Sequence, residues 1–336
     1  MTRVEAPDLG CIVRRILLFP LSGYINRLQS IASSAILADR LGAQLSVCWQ
    51  PEAVAPVPAS AVLSEEFCAS HVLSPEQAHD QFGARRPDVP QYLSIDDARR
   101  QILLAGYDRG EQHFMEPLRS AMAGQPDAES LVIAAGGKFF LPDDGTDEAQ
   151  WQEQFRSLRH EFYARLRLAA PIEAAAAELV DGRQPFIALH LRYTDRAHQS
   201  PSDRAVCEAL TRAARDSELT SVFVAADSPR ARDEWTTTIR GLGLDPWSAG
   251  HTQFDRSTAG SEHAALVDWR LLGRAQRLVY FAESSFAEEA AVASGHRDES
   301  IALPAEAFRS ALVRARAYAE AARTYPRRHG WLGRPH

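Results

Sequence analysis

The stretch "ALHLRYTDR", Ala188–Arg196, changes character in its middle. It begins within an apolar run that has the length of a strand buried on both faces of a parallel sheet. From its third residue onward it carries ionisable or hydrogen-bonding side chains, namely His190, Arg192, Tyr193, Asp195 and Arg196. Because polar groups are costly to bury without a partner, their position at the end of a buried strand predicts a ligand site there.

Apolar runs and amphipathic segments alternate regularly around this stretch. The runs "QPFIALHL", "TSVFVAA", "RLVYF" and "SIAL" predict strands. The segments "DRAVCEALTRAARDS", "SPRARDEWTTTIRGLG", "SEHAALVDWRLLGRA", "SSFAEEAAVASG" and "PAEAFRSALVRARAYAEAAR" predict helices. Such alternation indicates a mostly parallel sheet with helices on both faces.

The first half of the chain begins with a similar unit. "CIVRRILLFP" predicts a strand, "NRLQSIASSAILADRLG" a helix that closes at Gly42, and "AQLSVCW" a second strand. This is a β-α-β unit with an expected right-handed crossover. Further along, "PEQAHDQFG" and "SIDDARRQILLAG" predict short helices, "SLVIAAGG" a strand, and "DEAQWQEQFRSLRHEFYARLRL" and "PIEAAAAELVDG" helices.

The length of 336 residues is too great for one ordinary hydrophobic core. The predicted fold class is therefore α/β with two Rossmann-like domains and mostly parallel sheets. We place the N-terminal domain at residues 1–170, the C-terminal domain at 171–325 and a basic tail at 326–336.

Composition and charge exclude several classes of function. The net charge of -7 argues against binding of nucleic acid through the overall charge of the protein. No cysteine lies in a CxxC pair or at a zinc spacing, so Cys11, Cys48, Cys68 and Cys207 are expected to be reduced thiols. The start "MTRVEAPDLG" lacks the features of a signal peptide, and no apolar run approaches the roughly 20 residues of a membrane span. We expect a cytoplasmic protein without membrane insertion.

Polar side chains follow the predicted strands in both halves of the chain. In open α/β sheets, ligands bind beyond the carboxyl ends of the strands. The candidates at these positions are Gly23, Asn26, Arg27, His190, Arg192, Asp195, Asp227, Ser284 and Ser285.

Two of these groups suggest a phosphate ligand. Ser284 and Ser285 stand where a strand turns into a helix, and a helix N-terminus with two hydroxyls favours an anion. The alternative is that one of them only caps the helix. Arg192 could form two hydrogen bonds with a diphosphate, or could instead pair with Asp195 or Asp227.

Two further residues are expected to be buried. His190 is still within its strand, where a histidine is more often a satisfied core residue than a ligand contact. Asp268 falls on or beside the apolar face of a predicted helix, so its carboxylate needs a partner. A base with N–H donors, such as guanine, would supply one, and so would a structural arginine.

Other chemistries have little support. The sequence has no GxxxxGK[ST], no GxGxxG after a strand and no GxSxG. The acidic loop "DDGTD", Asp143–Asp147, could hold a metal, but a turn followed by a helix N-terminus explains it better. We predict neither a metal site nor a cofactor.

Four segments together resemble the GDP-fucose-dependent α1,2-, α1,6- and protein O-fucosyltransferases, including the nodulation fucosyltransferases. "HLRYTDR" is similar to their HxRRxD segment, and "VFVAADSP" is similar to the strand segment that follows it. "LVDWRLLGRAQRLVYFAESSFAEEAA" resembles their third segment, and "SGYINRLQSIASSAILADRLGAQLSVCW" resembles their N-terminal Gly-x-x-N-x-L start. The likeness covers residues 20–50 and 185–295.

The resemblance implies a GT-B fold, an acceptor-side N-terminal domain and a C-terminal domain that binds the nucleotide sugar. It implies an inverting, metal-independent transfer of fucose or a related deoxysugar from a GDP-sugar to a hydroxyl of a carbohydrate, peptide or small molecule. Arg192 would hold the donor β-phosphate, and His190 and Asp268 would contact the guanine. The other implied donor contacts are Asp227, Ser284, Ser285, Gly23, Asn26 and Arg27.

The sequence departs from this pattern at Tyr193, where the family has a second arginine, and at Ser228, where it has a second aspartate. No glutamate follows at the expected short distance, so Asp195 is the candidate to orient or deprotonate the acceptor, with Asp203 second. Two alternatives stay open. One is a nucleotide-binding protein of the same fold without transferase activity, and the other is a transferase that uses a UDP- or TDP-sugar.

Overall fold

The structure, a computed structural model, describes residues 13–86, 93–96, 99–106, 111–140, 147–183, 185–192, 201–251, 260–282 and 284–304. By its internal contacts the chain divides into two compact units, Met1–Glu173 and Ala174–His336. The boundary that we predicted at 170/171 falls at the start of the helix Ala170–Val180, within which this division lies. The predicted tail 326–336 and the last predicted helix lie outside the described residues.

The N-terminal unit is built on a five-stranded sheet. Its elements are β1 (Arg15–Pro20), α1 (Tyr24–Leu41), β2 (Gln44–Val47), α2 (Glu65–His71), α3 (Pro75–Phe82), β3 (Leu93–Asp96), β4 (Gln101–Gly106), α4 (Glu111–Gly124), β5 (Ser130–Ala135) and α5 (Glu148–Arg165), with a 3-10 turn at Ala59–Ala61. The strand order is β2-β1-β5-β4-β3, and every pairing is parallel except that of β3 with β4.

The C-terminal unit repeats this architecture with a wholly parallel sheet. It comprises α6 (Ala170–Val180, shared with the first unit), β6 (Ile187–Leu191), α7 (Asp203–Ser217), β7 (Ser221–Ala226), α8 (Pro229–Gly241), β8 (Asp245–Trp247), α9 (Ser261–Leu272), β9 (Arg277–Phe281), α10 (Ser285–Ser294), a 3-10 turn at Arg297–Glu299 and β10 (Ile301–Leu303). The strand order is β10-β9-β6-β7-β8.

The two faces of the C-terminal sheet are covered by different helices. Leu189 and Leu191 of β6 pack in one core with Val206 and Leu210 of α7 and Trp235 of α8. The intervening β6 side chains point to the opposite face because successive residues of a strand alternate. The helices α9 and α10 pack against that part of the sheet. His190 therefore belongs to the face that α9 and α10 cover.

One predicted helix is wrong. The segment "SIDDARRQILLAG" contains most of β3 and all of β4 instead of a short helix. Ile102 and Leu104 are buried where β4 pairs with β5, and the Gln101 amide donates to the backbone oxygen of Phe82. Pairing with a strand that lies far along the chain thus overrides the helical spacing of the segment.

The strand β8 is absent from our predictions. It contains Pro246, which lacks a backbone donor and disfavours a central strand. In the structure β8 pairs only with β7 and forms an edge of the sheet, where a proline is tolerated. The helices α2 and α4, in the irregular middle of the first unit, are likewise additional to the predicted elements.

Candidate functional site

The strand order of the C-terminal sheet defines a crevice. From β6 the chain proceeds through β7 to β8 on one side, and then returns through β9 to β10 on the other. This is the order of a dinucleotide-binding sheet, in which ligands bind beyond the carboxyl ends of the two strands where the order reverses. Here those strands are β6 and β9.

The carboxyl end of β6 carries His190 and Arg192. His190 is buried, with 7% of its surface exposed, and its ring stacks on Phe286 of α10 with centroids 5.2 Å apart. Arg192 is half-buried directly after the strand. The predicted acceptor-side residue Asp195 and its neighbour Tyr193 lie outside the described residues.

The carboxyl end of β9 leads into α10 through Ser284 and Ser285. The Ser284 hydroxyl accepts a hydrogen bond from the Ala287 amide at 3.4 Å, so Ser284 is the N-cap of α10. Ser285 is the first helical residue and is half-buried. The positive end of the α10 dipole therefore lies at the end of β9, which favours an anionic group there.

The end of β7 explains one departure from the family pattern. The Ser228 hydroxyl accepts a hydrogen bond from the Ala231 amide at 3.2 Å and caps α8, which begins with Pro229. An aspartate at this position could make the same bond, since serine and aspartate are comparable N-caps. Asp227, immediately before it, is half-buried.

Asp268 lies on α9, which packs against β6 and β7. It is 6% exposed, and its Oδ2 lies 3.3 Å from Nε2 of His251. Burial raises the pKa of Asp268, an effect that the hydrogen bond to His251 only partly offsets. Within the described part of the chain, Asp268 Oδ1 is buried and makes no hydrogen bond. A ligand with a donor group would satisfy this oxygen.

Asp203 is the first residue of α7 and is exposed. The preceding Ser202 caps the helix by accepting from the Ala205 amide. The carboxylate of Asp203 is thus favourably placed at the positive end of the α7 dipole. Its role as a second candidate base stays a prediction.

In the N-terminal unit, the predicted residues lie in the turn from β1 into α1. Gly23 is the N-cap of α1 and has open space around the position that a Cβ would take. The Asn26 amide donates to the Ser22 hydroxyl at 3.0 Å, and Ser22 has a left-handed φ of 70°. Such a φ is strained for a residue other than glycine, and the neighbouring contacts hold it.

Arg27 braces this turn. Its Nε donates to the Ser22 carbonyl at 2.9 Å and its Nη1 to the Gln50 carbonyl at 2.8 Å, while Nη2 lies 3.2 Å from Oε2 of Glu52. The guanidinium also lies over the Trp49 ring, 4.6 Å from its centroid. The side chain has no exposed surface. These contacts stabilise the turn from β1 into α1. The direct contact of Arg27 with a donor stays a prediction.

The structure adds two residues that sequence reasoning missed. Phe286 directly follows the two serines in the motif "ESSFAEE", so the sequence could have indicated that it lies near the site, where it stacks on His190. No feature of the sequence indicated a role for His251, because it follows the strand β8, which we did not predict.

Among the described residues, no group of three or more His, Cys, Asp or Glu side chains could hold a metal ion. Within the same ranges, no helix is long and apolar enough to span a membrane. The described cysteines, Cys48, Cys68 and Cys207, are free, and burial raises the pKa of each thiol.

Solved fucosyltransferases share this fold. An arginine-to-lysine mutant of FUT1 from Arabidopsis thaliana in complex with GDP has a TM-score of 0.59 and 14% identity, covering 84% of this chain and 69% of that one. For the fucosyltransferase NodZ from Bradyrhizobium the TM-score is 0.52 at 18% sequence identity, and the match covers 83% of this chain and 92% of NodZ. For POFUT1 in complex with GDP-fucose the TM-score is 0.51 at 14% sequence identity, and the match covers 89% of this chain and 98% of POFUT1.

No protein-family model matches the chain, and neither does any curated protein. At these low identities the structural likeness is one of fold. It confirms the predicted GT-B-type α/β class with two mostly parallel sheets, and it confirms the resemblance to fucosyltransferases at the level of fold.

Proposed function

We propose that the protein is a glycosyltransferase that takes its sugar from a GDP-sugar, with fucose or a related deoxysugar as the transferred group. The observation that carries the proposal is the crevice beyond β6 and β9. Sequence reasoning selected His190, Arg192, Ser284 and Ser285 as ligand contacts, and all four stand at the ends of the two strands that border this crevice.

The similar solved structures support the nature of the donor. The FUT1 mutant is described in complex with GDP, and POFUT1 in complex with GDP-fucose. The features beside β6 and β9 suit such a donor. Arg192 and the α10 N-terminus provide positive charge for a diphosphate. The unsatisfied Oδ1 of Asp268 suits a base with an N–H donor.

The proposed reaction is a single displacement with inversion. The acceptor hydroxyl attacks C1 of the sugar, the bond from C1 to the β-phosphate oxygen breaks, and GDP leaves with the bonding electrons. The hydroxyl proton passes to a carboxylate, for which Asp195 is the first candidate and Asp203 the second. Negative charge grows on the β-phosphate in the transition state, so a fixed Arg192 would lower the barrier.

Metal independence, the absence of a cofactor and a cytoplasmic location also belong to the proposal. They rest on the family resemblance and on the sequence. The free thiols of Cys48, Cys68 and Cys207 are in keeping with a reducing compartment.

The test is the variant Arg192→Ala, assayed for GDP release from GDP-fucose with and without a panel of hydroxyl acceptors. We expect turnover to fall by about two to three orders of magnitude, as for loss of one preorganised donor to a developing oxyanion. Arg204→Ala is the matched control, because Arg204 is an exposed arginine of α7 that forms a surface ion pair with Glu208. Near wild-type turnover in Arg192→Ala would overturn the assignment.

A second candidate function is nucleotide binding without transfer, and Tyr193 in place of the family's second arginine favours it. Tight GDP binding by calorimetry, with neither transfer nor slow hydrolysis of GDP-fucose, would select this function. A thermal-shift series with GDP, UDP and TDP distinguishes the donors, since the cognate nucleotide raises the stability most.

A further inference from the structure

We infer that His251 is a positioning residue for base recognition: it fixes Asp268 so that the second carboxylate oxygen faces a ring N–H of the nucleotide base. The inference rests on the proposed function, which already assigns Asp268 to the guanine. What it adds is the residue that orients this carboxylate and thereby sets the preference for guanine.

The geometry of the Asp268 carboxylate is asymmetric. Oδ2 is bound by His251 Nε2 at 3.3 Å, whereas Oδ1 is buried and makes no hydrogen bond to the described residues. A buried polar atom without a partner is costly, and natural proteins nearly always satisfy such atoms with protein, water or ligand. One oxygen is therefore committed to the protein, and the other is left for a ligand.

His251 is itself held in place. It follows β8, and its backbone carbonyl accepts a hydrogen bond at 2.9 Å from Nη1 of Arg232 on α8. Arg232 and Asp268 thus hold His251 at two points, one through its backbone and the other through its ring. This arrangement restrains the carboxylate of Asp268, because a carboxylate with one oxygen fixed at a rigid donor cannot rotate freely.

The position of the pair fits a base rather than a phosphate. Asp268 lies on α9, on the face of the sheet to which the His190 side chain also points. An ionised carboxylate only accepts hydrogen bonds, so its partner must be a donor. Guanine presents a ring N–H at its pairing edge, whereas adenine presents a bare ring nitrogen there. A fixed Oδ1 would therefore attract guanine and repel adenine.

The experiment is calorimetric titration of the full-length protein with GDP and with ADP. In His251→Phe the ring volume is kept and the donor is lost, and we expect the preference for GDP over ADP to fall about tenfold, the effect of one hydrogen bond to a charged group. His251→Gln, which keeps a donor, should restore most of the preference. His296→Phe is the matched control, because it removes another histidine that lies near a carboxylate, that of Glu299, at an exposed site.

A double-mutant cycle distinguishes positioning from mere support of the fold. In an Asp268→Asn background, His251→Phe should change the GDP/ADP ratio no further, since the group that it positions is already altered. If the two effects on the ratio add, or if His251→Phe lowers the melting temperature and leaves the ratio unchanged, the inference is wrong. Should His251→Phe fail to fold, His251→Asn, which is polar but too short to reach Asp268, replaces it.

The experiment distinguishes failure of the proposed GDP-sugar donor from failure of the positioning role of His251. A wild-type protein that shows no preference for GDP over ADP overturns the proposed donor and the inference together. A wild-type preference that survives in His251→Phe overturns the inference alone and leaves the proposed function standing.

Discussion

The ring of His190 on β6 stacks on the ring of Phe286 in the first turn of α10, with centroids 5.2 Å apart and planes 22° apart. This contact joins the two elements that border the crevice, because α10 begins where β9 ends. It therefore couples the orientation of His190 to the start of the helix that Ser284 caps.

Replacing Phe286 should loosen this junction. An aromatic pair contributes roughly 0.5–1.5 kcal/mol beyond its buried area, so Phe286→Ala should weaken GDP binding by at least a few-fold. Phe286→Leu keeps most of the apolar volume and should separate the loss of stacking from the loss of bulk. Calorimetry with GDP measures both. Equal GDP affinity in the wild type and both variants would show that the stack does not support the site.

Arg27 is expected to control the stability of the N-terminal unit. Burial lowers the pKa of this guanidinium, and the charge of Glu52 partly counteracts the effect. Arg27→Met leaves the carbonyls of Ser22 and Gln50 without this donor and removes one cation from Glu52. Since Arg86 still pairs with Glu52, we expect a loss of about 3 kcal/mol, at the lower end for a broken buried pair.

Urea unfolding measures this loss, with Arg204→Ala as a surface control whose unfolding midpoint should match that of the wild type. Glu52→Gln in the Arg27→Met background should recover part of the loss, because it removes the carboxylate that has lost a partner. A change below about 1 kcal/mol in Arg27→Met would contradict the bracing role.

Variants of Ser228 test whether serine in place of the family's aspartate changes stability or GDP affinity. If its hydroxyl serves as the cap of α8, Ser228→Asp should keep both stability and GDP affinity, and Ser228→Ala should cost about 1 kcal/mol. Thermal unfolding and calorimetry measure the two quantities. A large change in GDP affinity in Ser228→Asp, at unchanged stability, would instead place this position in the donor site.

The His251–Asp268 pair should make stability depend on pH. Burial alone would lower the pKa of His251, but the hydrogen bond and charge of Asp268 outweigh burial, and the pKa is raised despite the opposing charge of Arg232. The folded state then binds the proton more tightly than the unfolded state does. This contribution is fully present below the ordinary histidine pKa of about 6.5 and is lost as the pH rises through the raised value.

Burial also raises the pKa of Asp268, but this effect is present in His251→Gln as well, so it does not cause the difference between the two proteins. The raised pKa of His251 does: the free energy of unfolding of the wild type should fall relative to that of His251→Gln as the pH rises above about 6.5. Urea unfolding over a pH series measures the difference, and His296→Gln is the exposed control. Parallel curves for the wild type and His251→Gln would show that the pair does not contribute.

Much of the fold is local in origin and was predictable. The alternation of apolar runs with amphipathic segments sets β6 to β10 and α7 to α10, apart from β8. Helix α7 shows why: Val206, Ala209, Leu210 and Ala213 recur at helical spacing and are all buried. The polar residues at the strand ends were also predictable, because each strand ends where an apolar run of the sequence gives way to polar residues.

The sequence by itself thus determined the α/β class and the candidates His190, Arg192, Ser284 and Ser285. The tertiary structure decided three further points: the pairing with β5 that makes residues 101–106 a strand, the strand order that brings the ends of β6 and β9 together, and the contact of His251 with Asp268. The physical reason is the same for all three. Each depends on hydrogen bonds between groups far apart along the chain, and local propensity carries no information about such partners.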